Sequence, residues 1–511
     1  MQSLKEFTIY TKKTIGVKDT YALRENVNAL GVSKNLLAEG AGANIAMALL
    51  HKHKNDSILI VSGCGNKGAI GLSVARHLYD YVHHMDVALL CKPEEIKQDV
   101  LRCNYNILSK FMDIEIIEEE HKLKRLVKSN DIVVDAIIGV GLRGRPDKRI
   151  ASAINVINKY GKYIVSIDIP SGIDPETGLP NVASIKPDML FVLYKNKPFT
   201  VTRKFVQNTS IIDIGVPSPS ELIVGPGDVM LATEPRLMHA NKYTNGSVLV
   251  VGGSTDYSGA PVLTAYSVSN ALSALYTGVG YVTIAMPNSA IKKVNIPPEL
   301  IVKSFNDKMI SKEDLIKLGE IRHDVLAIGP GLSSRVECLN SIREFIASES
   351  AHGKYIVVDA TAIKALSANK NLLGKNIIIT PHDGEFSALT GINLRNATLK
   401  KRIYSAIEFA KTYSCTVVLK GHETIITDGQ LLKINFTDTP VLATMGSGDV
   451  LTGIIASYLA MHKVPFESAV AGVYVSSKIG EILFKEMGLH ITANDIVNKI
   501  PQVIKEFDSI K

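Results

Sequence analysis

Short runs of aliphatic and β-branched residues recur along this chain. Each is followed by a polar, glycine-rich stretch and then by residues with helical spacing. In the first half the runs are SILIVSG (57–63), MDVALLC (85–91), DIVVDAII (131–138), YIVSIDIP (163–170) and DMLFVL (188–193). Amphipathic stretches such as AIGLSVARHLYDYV lie between them. A strand without polar alternation must be covered on both faces, and parallel strands need a crossover helix to join them. The alternation therefore predicts a doubly wound α/β sheet with helices on both sides. The second half repeats the style at SVLVVGG (247–253), YVTIAMP (281–287), DVLAIGP (324–330), YIVVDA (355–360), NIIITP (376–381) and CTVVLKG (415–421). There the pair ETIITDG and QLLKINF reads as an antiparallel hairpin.

The chain has 511 residues, and a single core rarely grows past roughly 250–300. Between the halves, IGVPSPSELIVGPGDVM is rich in Pro, Gly and Ser. It sets a boundary near 218–230 and two domains, 1–222 and 223–511. An apolar fraction of 46% and a charged fraction of 21% suit a soluble globular protein. The net charge of +7 is spread rather than massed. No basic stripe carries the interleaved aromatics that single-stranded nucleic acid needs, whereas anionic small ligands are suited. Five cysteines without metal-like spacing point to a reducing compartment, without disulfides or a zinc site. The start MQSLKEFTIY lacks a secretory apolar region. Residues 257–291 carry no charge, but their Ser, Thr, Asn and Gly content reads as a buried helix and strand rather than a membrane span.

The stretch TMGSGDVLTG (444–453) packs three glycines around one carboxylate and leads into an apolar helix. Gly446 and Gly448 permit close backbone approach. The unpaired N–H groups and dipole of a helix N-terminus suit a phosphate. Asp449 then stands within reach of an attacking hydroxyl as a proton acceptor. The same residues also suit a plain turn with Asp as the cap. Other polar strand ends, GGSTDYSGAP (252–261), IGPGLSS (328–334), TPHDGEFSALTG (380–391) and KGHET (420–424), argue for one shared cleft.

Taken together, these segments resemble the dehydratase domain of the bifunctional NAD(P)H-hydrate repair enzymes, a ribokinase-like α/β/α fold. The resemblance runs from about Asn241 to Tyr458. It implies that Lys420, Gly421, His422, Glu423, Thr424, Gly446 and Gly448 hold ADP or ATP with Mg2+. It also implies that Ala260, Gly331, His382 and Asp449 face the hydrated nicotinamide ring. Asp449 would take the proton of the ring hydroxyl during phosphoryl transfer. Where the family has Asp-Ala-Asp, VVDATAI (357–363) has Thr361 in the second Asp position. For Asp359, a strand-end or capping role therefore fits as well as a catalytic one.

Residues 10–216 resemble the epimerase domain of the same enzymes, a Rossmann-like doubly wound fold. VSGCGNKGAIG (61–71), DAIIGVGLRG (135–144) and SIDIPSGIDPETG (166–178) carry the likeness. It implies that Asn66, Lys67, Gly68, Ala69 and Ile70, together with Gly139, Val140, Gly141, Leu142, Arg143, Gly144 and Arg145, cradle the dinucleotide. Asp168 would be catalytic and touch the hydrated ring. Asp135 and Ser171 would coordinate K+. Lys67, Ala69 and Ile70 depart from the family's Gly-Asn-Asn-Gly-Gly-Asp-Gly. Lys67 stands at a potassium ligand's position, so its ammonium is expected to replace the ion.

The implied activity is repair of the hydrates NADHX and NADPHX, by epimerisation of the R form and ADP-driven dehydration of the S form. The expected setting is cytoplasmic and the expected assembly a homo-oligomer, with no nucleic-acid or membrane partner expected. Two other readings stay open. One is a ribokinase-like kinase for a vitamin-precursor alcohol. The other is an active dehydratase carrying a degenerate binding domain.

Overall fold

The computed structural model describes residues 4–508, apart from 142–143, 203–207, 234, 236–245, 275–280, 306–309 and 438. Two compact units divide the chain: Lys12–Ser220, and Glu221–Lys511 together with Met1–Thr11. The assignment of residues 1–11 to the first domain is thus corrected. Phe7 is buried in the second unit's core, where its ring lies 5.2 Å from that of Tyr404. Glu6 accepts hydrogen bonds from Lys400 and Tyr404. Burial of that one aromatic ring anchors the segment.

In the first unit, seven strands run in the order β3-β2-β1-β4-β5-β6-β7. They are β1 (Ile58–Ser62), β2 (Met85–Leu89), β3 (Glu115–Ile116), β4 (Ile132–Ala136), β5 (Tyr163–Ile167), β6 (Met189–Leu193) and β7 (Asn208–Ile212). All pair in parallel. Alternate side chains of β1 serve opposite cores: Ile58 and Ile60 enter one, Leu59 and Val61 the other. That two-sided demand explains the unbroken apolar run. The edge strands β3 and β7 escape sequence reading because one is two residues long and the other, NTSII, is mostly exposed.

The second unit holds β8 (Ser247–Val251), β9 (Tyr281–Pro287), β10 (Ile301–Phe305), β11 (Val325–Ile328), β12 (Tyr355–Val358), β13 (Ile377–Ile379), β14 (Thr416–Leu419), β15 (Glu423–Thr427) and β16 (Leu432–Phe436). Their order is β10-β9-β8-β11-β12-β13-β14-β15-β16. The hairpin β15–β16 adds two antiparallel strands at one edge. Leu326 and Ile328 of β11 pack on one face, Val325 and Ala327 on the other. The charge-free stretch contributes the helix Gly259–Ala274 and strand β9. Among the described residues, no helix is long and apolar enough to cross a membrane.

The helix Ser447–His462 buries Leu451, Ile455 and Leu459 against one core and Val450, Ile454 and Tyr458 against another. A helix apolar on all sides belongs in the interior, and this one aims its N-terminus at the polar strand ends. Gly453 lets it approach the helix Gly259–Ala274, since a Cβ there would lie 2.4 Å from the Thr264 carbonyl oxygen.

Candidate active sites

Parallel strands deliver their carboxyl ends to one edge of a sheet, and loops after adjacent strands meet there. In the second unit, Asp359 directly follows β12, β13 leads through Thr380 and Pro381 to His382, and Lys420 directly follows β14. The Lys420 N–H donates to the Pro381 carbonyl at 2.8 Å, which extends the pairing of β13 and β14 past their ends.

The N-terminus of the helix Ser447–His462 closes over this edge. Its cap, Gly446, has φ 88°, a left-handed conformation that glycine adopts freely. Asp449 lies in the first turn, half-buried. A Cβ on Gly448 would stand 3.4 Å from Lys420 Nζ, so the ammonium sits directly beside the helix mouth. Lys420 Nζ is held 3.0 Å from Asp359 Oδ1. Asp359 is buried and also accepts from Thr380 Oγ1 at 2.8 Å and Thr452 Oγ1 at 2.9 Å.

These charges set the chemistry. Burial raises the Asp449 carboxyl, the Asp359 and Glu385 charges raise it further, and Lys420 opposes them; the result is pushed up to about 7. Burial works against the Lys420 charge, but Asp359, Glu385 and Asp449 outweigh it and hold the ammonium above its ordinary value. A carboxyl poised near neutrality beside a fixed cation and a helix N-terminus is equipped to take a proton from an alcohol while a phosphoryl group is gripped.

A cavity of about 740 Å³ adjoins this edge, lined by Tyr257, Gly331, Ser333, Arg335, Ala360 and Thr361, among others. Gly331, at φ 68°, faces Ala260: a Cβ there would lie 3.4 Å from the Ala260 Cβ and 2.4 Å from the Tyr257 carbonyl oxygen. Thr361 donates to the Leu332 carbonyl at 2.9 Å and lines the cavity. His382 serves another purpose as well: its Nδ1 accepts from the Gly384 and Glu385 N–H groups and caps the helix Asp383–Thr390. Its ring is 60% exposed.

The KGHET turn is braced by a residue that sequence reading passed over. Arg402 is buried and donates to Asp383 Oδ1 at 2.9 Å, the Glu423 carbonyl at 2.8 Å and the Lys420 carbonyl at 3.1 Å. A Cβ on Gly421 would meet its guanidinium at 2.4 Å. Within the turn His422 is exposed and Thr424 is buried. In the sequence, Arg402 is one of several cations on a helix (LKKRIYSAIEF), where the solvated reading wins. The partners of Asp359 are equally hidden in the sequence, since Lys420 and Thr452 lie 61 and 93 positions away.

In the first unit, the ends of β1, β4 and β5 meet. Asp135, fully buried, accepts from Ser166 Oγ at 2.8 Å, the Ser171 N–H at 2.9 Å, the Ser171 hydroxyl and the Ile137 N–H. Lys67 completes the cluster, with Nζ 3.0 Å from Asp135 Oδ2. Burial pulls the Lys67 ammonium below its ordinary value, and Asp135 and Asp168 partly restore it.

Asp168 has φ 60°, a strained backbone for a non-glycine residue and one that clusters at functional sites. It is paired with Lys197 Nζ at 3.1 Å and accepts from the Leu193 N–H at 3.1 Å. Lys197 is buried and had no sequence signal beyond being a lysine.

The remaining expectations divide. Asn66 is exposed at the start of the helix Asn66–Leu78. Gly139 lies over the Lys67 stem, where a Cβ would be 3.6 Å from Lys67 Cβ and Cδ. Gly141, Gly144 and Arg145 are exposed, and Val140 packs against Ile169, Ile173 and Phe199. Leu142 and Arg143 lie outside the described residues. Gly68 is buried, because its backbone closes on Gly63. Ala69 is fully buried and the partly buried Ile70 packs against the sheet core. Potassium does not fit: the oxygens that would ligate it already hold Lys67 Nζ.

Comparison with known proteins accords with both units. A family profile described as NAD(P)H-hydrate dehydratase matches residues 248–502. One described as YjeF-related protein N-terminus matches residues 34–199. The bifunctional NAD(P)H-hydrate repair enzyme Nnr of Pyrobaculum aerophilum is 33% identical over 507 residues, covering 96% of this chain and 99% of its own length. The enzyme of the same name from Archaeoglobus fulgidus is 34% identical over 498 residues, covering 96% and 98%. Among solved structures, an ADP/ATP-dependent NAD(P)H-hydrate dehydratase from Bacillus subtilis, co-crystallized with ATP/Mg2+, is 27% identical. It covers 55% of this chain and 96% of its own, with a TM-score of 0.45. With a third of its residues matched along almost the whole length of such relatives, the chain belongs to the family of bifunctional NAD(P)H-hydrate repair enzymes.

Proposed function

We propose that the protein restores NADH and NADPH from their hydrates, with the second unit dehydrating the S form at the expense of ADP and the first interconverting the R and S forms. The observation that carries this reading is Asp449, a carboxyl raised to about 7 at a helix mouth that also holds Lys420. Asp449 accepts the proton of the ring hydroxyl as that oxygen takes the terminal phosphoryl of ADP. Lys420 and the positive end of the helix bear the charge on the transferring group. The ring nitrogen's electron pair then expels phosphate, and loss of a proton from the adjacent carbon restores the double bond. AMP and phosphate are the by-products.

Three carboxyls, Asp359, Glu385 and Asp449, surround one ammonium. This negative excess would suit a magnesium ion carried in on the nucleotide, which would shield the phosphate charges. Among the described residues, no group of three or more His, Cys, Asp or Glu side chains forms a self-sufficient metal site. Five free thiols support a cytoplasmic setting.

Dehydration restores the near-ultraviolet absorbance of the reduced ring, so it can be followed directly. With ADP and S-hydrate, the rate should fall tenfold per unit as pH drops below about 7 and level off above it, because only ionised Asp449 accepts a proton. A rate flat from pH 5 to 8 would remove Asp449 as the base. The buried Ala69 and partly buried Ile70 favour a second reading, a first unit that binds but does not epimerise. Pure R-hydrate separates the two. An active first unit makes the absorbance return faster than spontaneous epimerisation allows, and an inactive one leaves that slow step in control.

A further inference from the structure

The ammonium of Lys67 lies at the centre of an oxygen cage. Lys67 is the second residue of the helix Asn66–Leu78. Its Nζ contacts Asp135 Oδ2 at 3.0 Å, the Ile138 carbonyl oxygen at 3.3 Å, the Ile169 carbonyl oxygen at 2.8 Å and Ser171 Oγ at 3.1 Å. These four oxygens come from the ends of two neighbouring strands, β4 and β5, while the nitrogen comes from the helix after β1. Two main-chain carbonyls converging with a carboxylate and a hydroxyl on one point form a hard, singly charged donor set, suited to a monovalent cation. An ammonium has only three N–H donors. A fourth oxygen at contact distance indicates a cage shaped around a charge as much as around a hydrogen-bonding pattern. The Lys67 side chain is 5% exposed and Asp135 is 0% exposed, so neither charge leans on bulk water.

We infer that Lys67 is a covalently tethered cation, which fills the monovalent-ion position permanently and makes the first unit independent of potassium. The ion's electrostatic work is kept: Asp135 stays compensated, and the loops carrying Gly139 and Asp168 stay drawn to one point. What is lost is exchange with solvent.

The test uses the full-length protein in potassium chloride and in tetramethylammonium chloride of equal ionic strength. The wild type should unfold at the same temperature in both salts and show no saturable uptake of potassium or its substitute thallium(I) by calorimetry. Lys67→Asn empties the cage while leaving the Asp135 charge. It should unfold roughly 10 °C lower in tetramethylammonium and recover most of that loss in potassium, with one ion bound per chain. Saturable binding of one potassium ion to the wild type overturns the inference. So does a folded Lys67→Asn protein that ignores potassium. If that variant does not fold, the wild-type titration still decides.

The kinetic arm rests on the epimerase reading: wild-type turnover of R-hydrate should change less than twofold between the salts. No turnover in either salt would remove that reading and leave the binding result standing.

Discussion

Replacing Asp449 with Asn should leave a protein that is inactive in dehydration and more stable than the wild type. Loss of the base is expected to lower kcat by about 10²–10⁴-fold, with binding of ADP retained. The stability gain follows from the raised carboxyl. Asp449 titrates near 7 in the folded chain against an ordinary value of 3.8. Between those values the folded state holds a proton that the unfolded state has released, so stability falls as pH rises through the window. Below about pH 4 both states are protonated and nothing is lost; above about 7 the whole penalty applies. At about 1.36 kcal/mol per unit the penalty approaches ~4 kcal/mol, an upper bound for a half-buried group. Asparagine carries no charge to penalise. Thermal unfolding of the nucleotide-free variant should therefore exceed the wild type by several degrees at pH 8, and the difference should vanish near pH 4. A variant that loses activity but gains nothing at pH 8 would mean the carboxylate is not destabilised where it sits.

Lys420→Met should do the opposite to stability. Lys420 and Asp359 are 20% and 3% exposed and lie 3.0 Å apart. Removing one partner strands a buried carboxylate, a loss of about 3–5 kcal/mol by the usual behaviour of buried pairs. Two threonine hydroxyls still reach Asp359 and hold the effect toward the lower end. Adding Asp359→Asn to the same chain removes the stranded charge and should recover most of the stability. Dehydration should stay lost in both variants, because no ammonium remains at the helix mouth. Denaturant unfolding of the two variants beside the wild type checks this. Equal destabilisation in the single and double variants would show that the carboxylate does not depend on Lys420.

Much of the fold could be read from local pattern. The five central strands of the first unit and six parallel strands of the second were visible because each must be apolar on both faces. The edge strands β3, β7 and β10 were not. Residues Ile301–Val302–Lys303–Ser304 of β10 are exposed and have no inward face to betray them. The site divides in the same way. Asp449 and Lys420 stand out in the sequence because they sit in glycine-rich strand ends, whereas Asp135, Ser171 and Asp168 are singled out by the family resemblance. Arg402 and Lys197 do not stand out, since a cation in a polar stretch looks solvated until the fold covers it.

The amino-acid order by itself determined that this chain forms two doubly wound sheets with polar, glycine-rich strand ends, because side-chain period and turn chemistry act over a few neighbouring residues. Only the tertiary structure decided which charges meet. Lys67 reaches oxygens 68 to 104 positions away, and Lys420 reaches Asp359 across 61. Coulomb energy depends on distance and burial in space, and neither exists until the strands have taken their places beside one another.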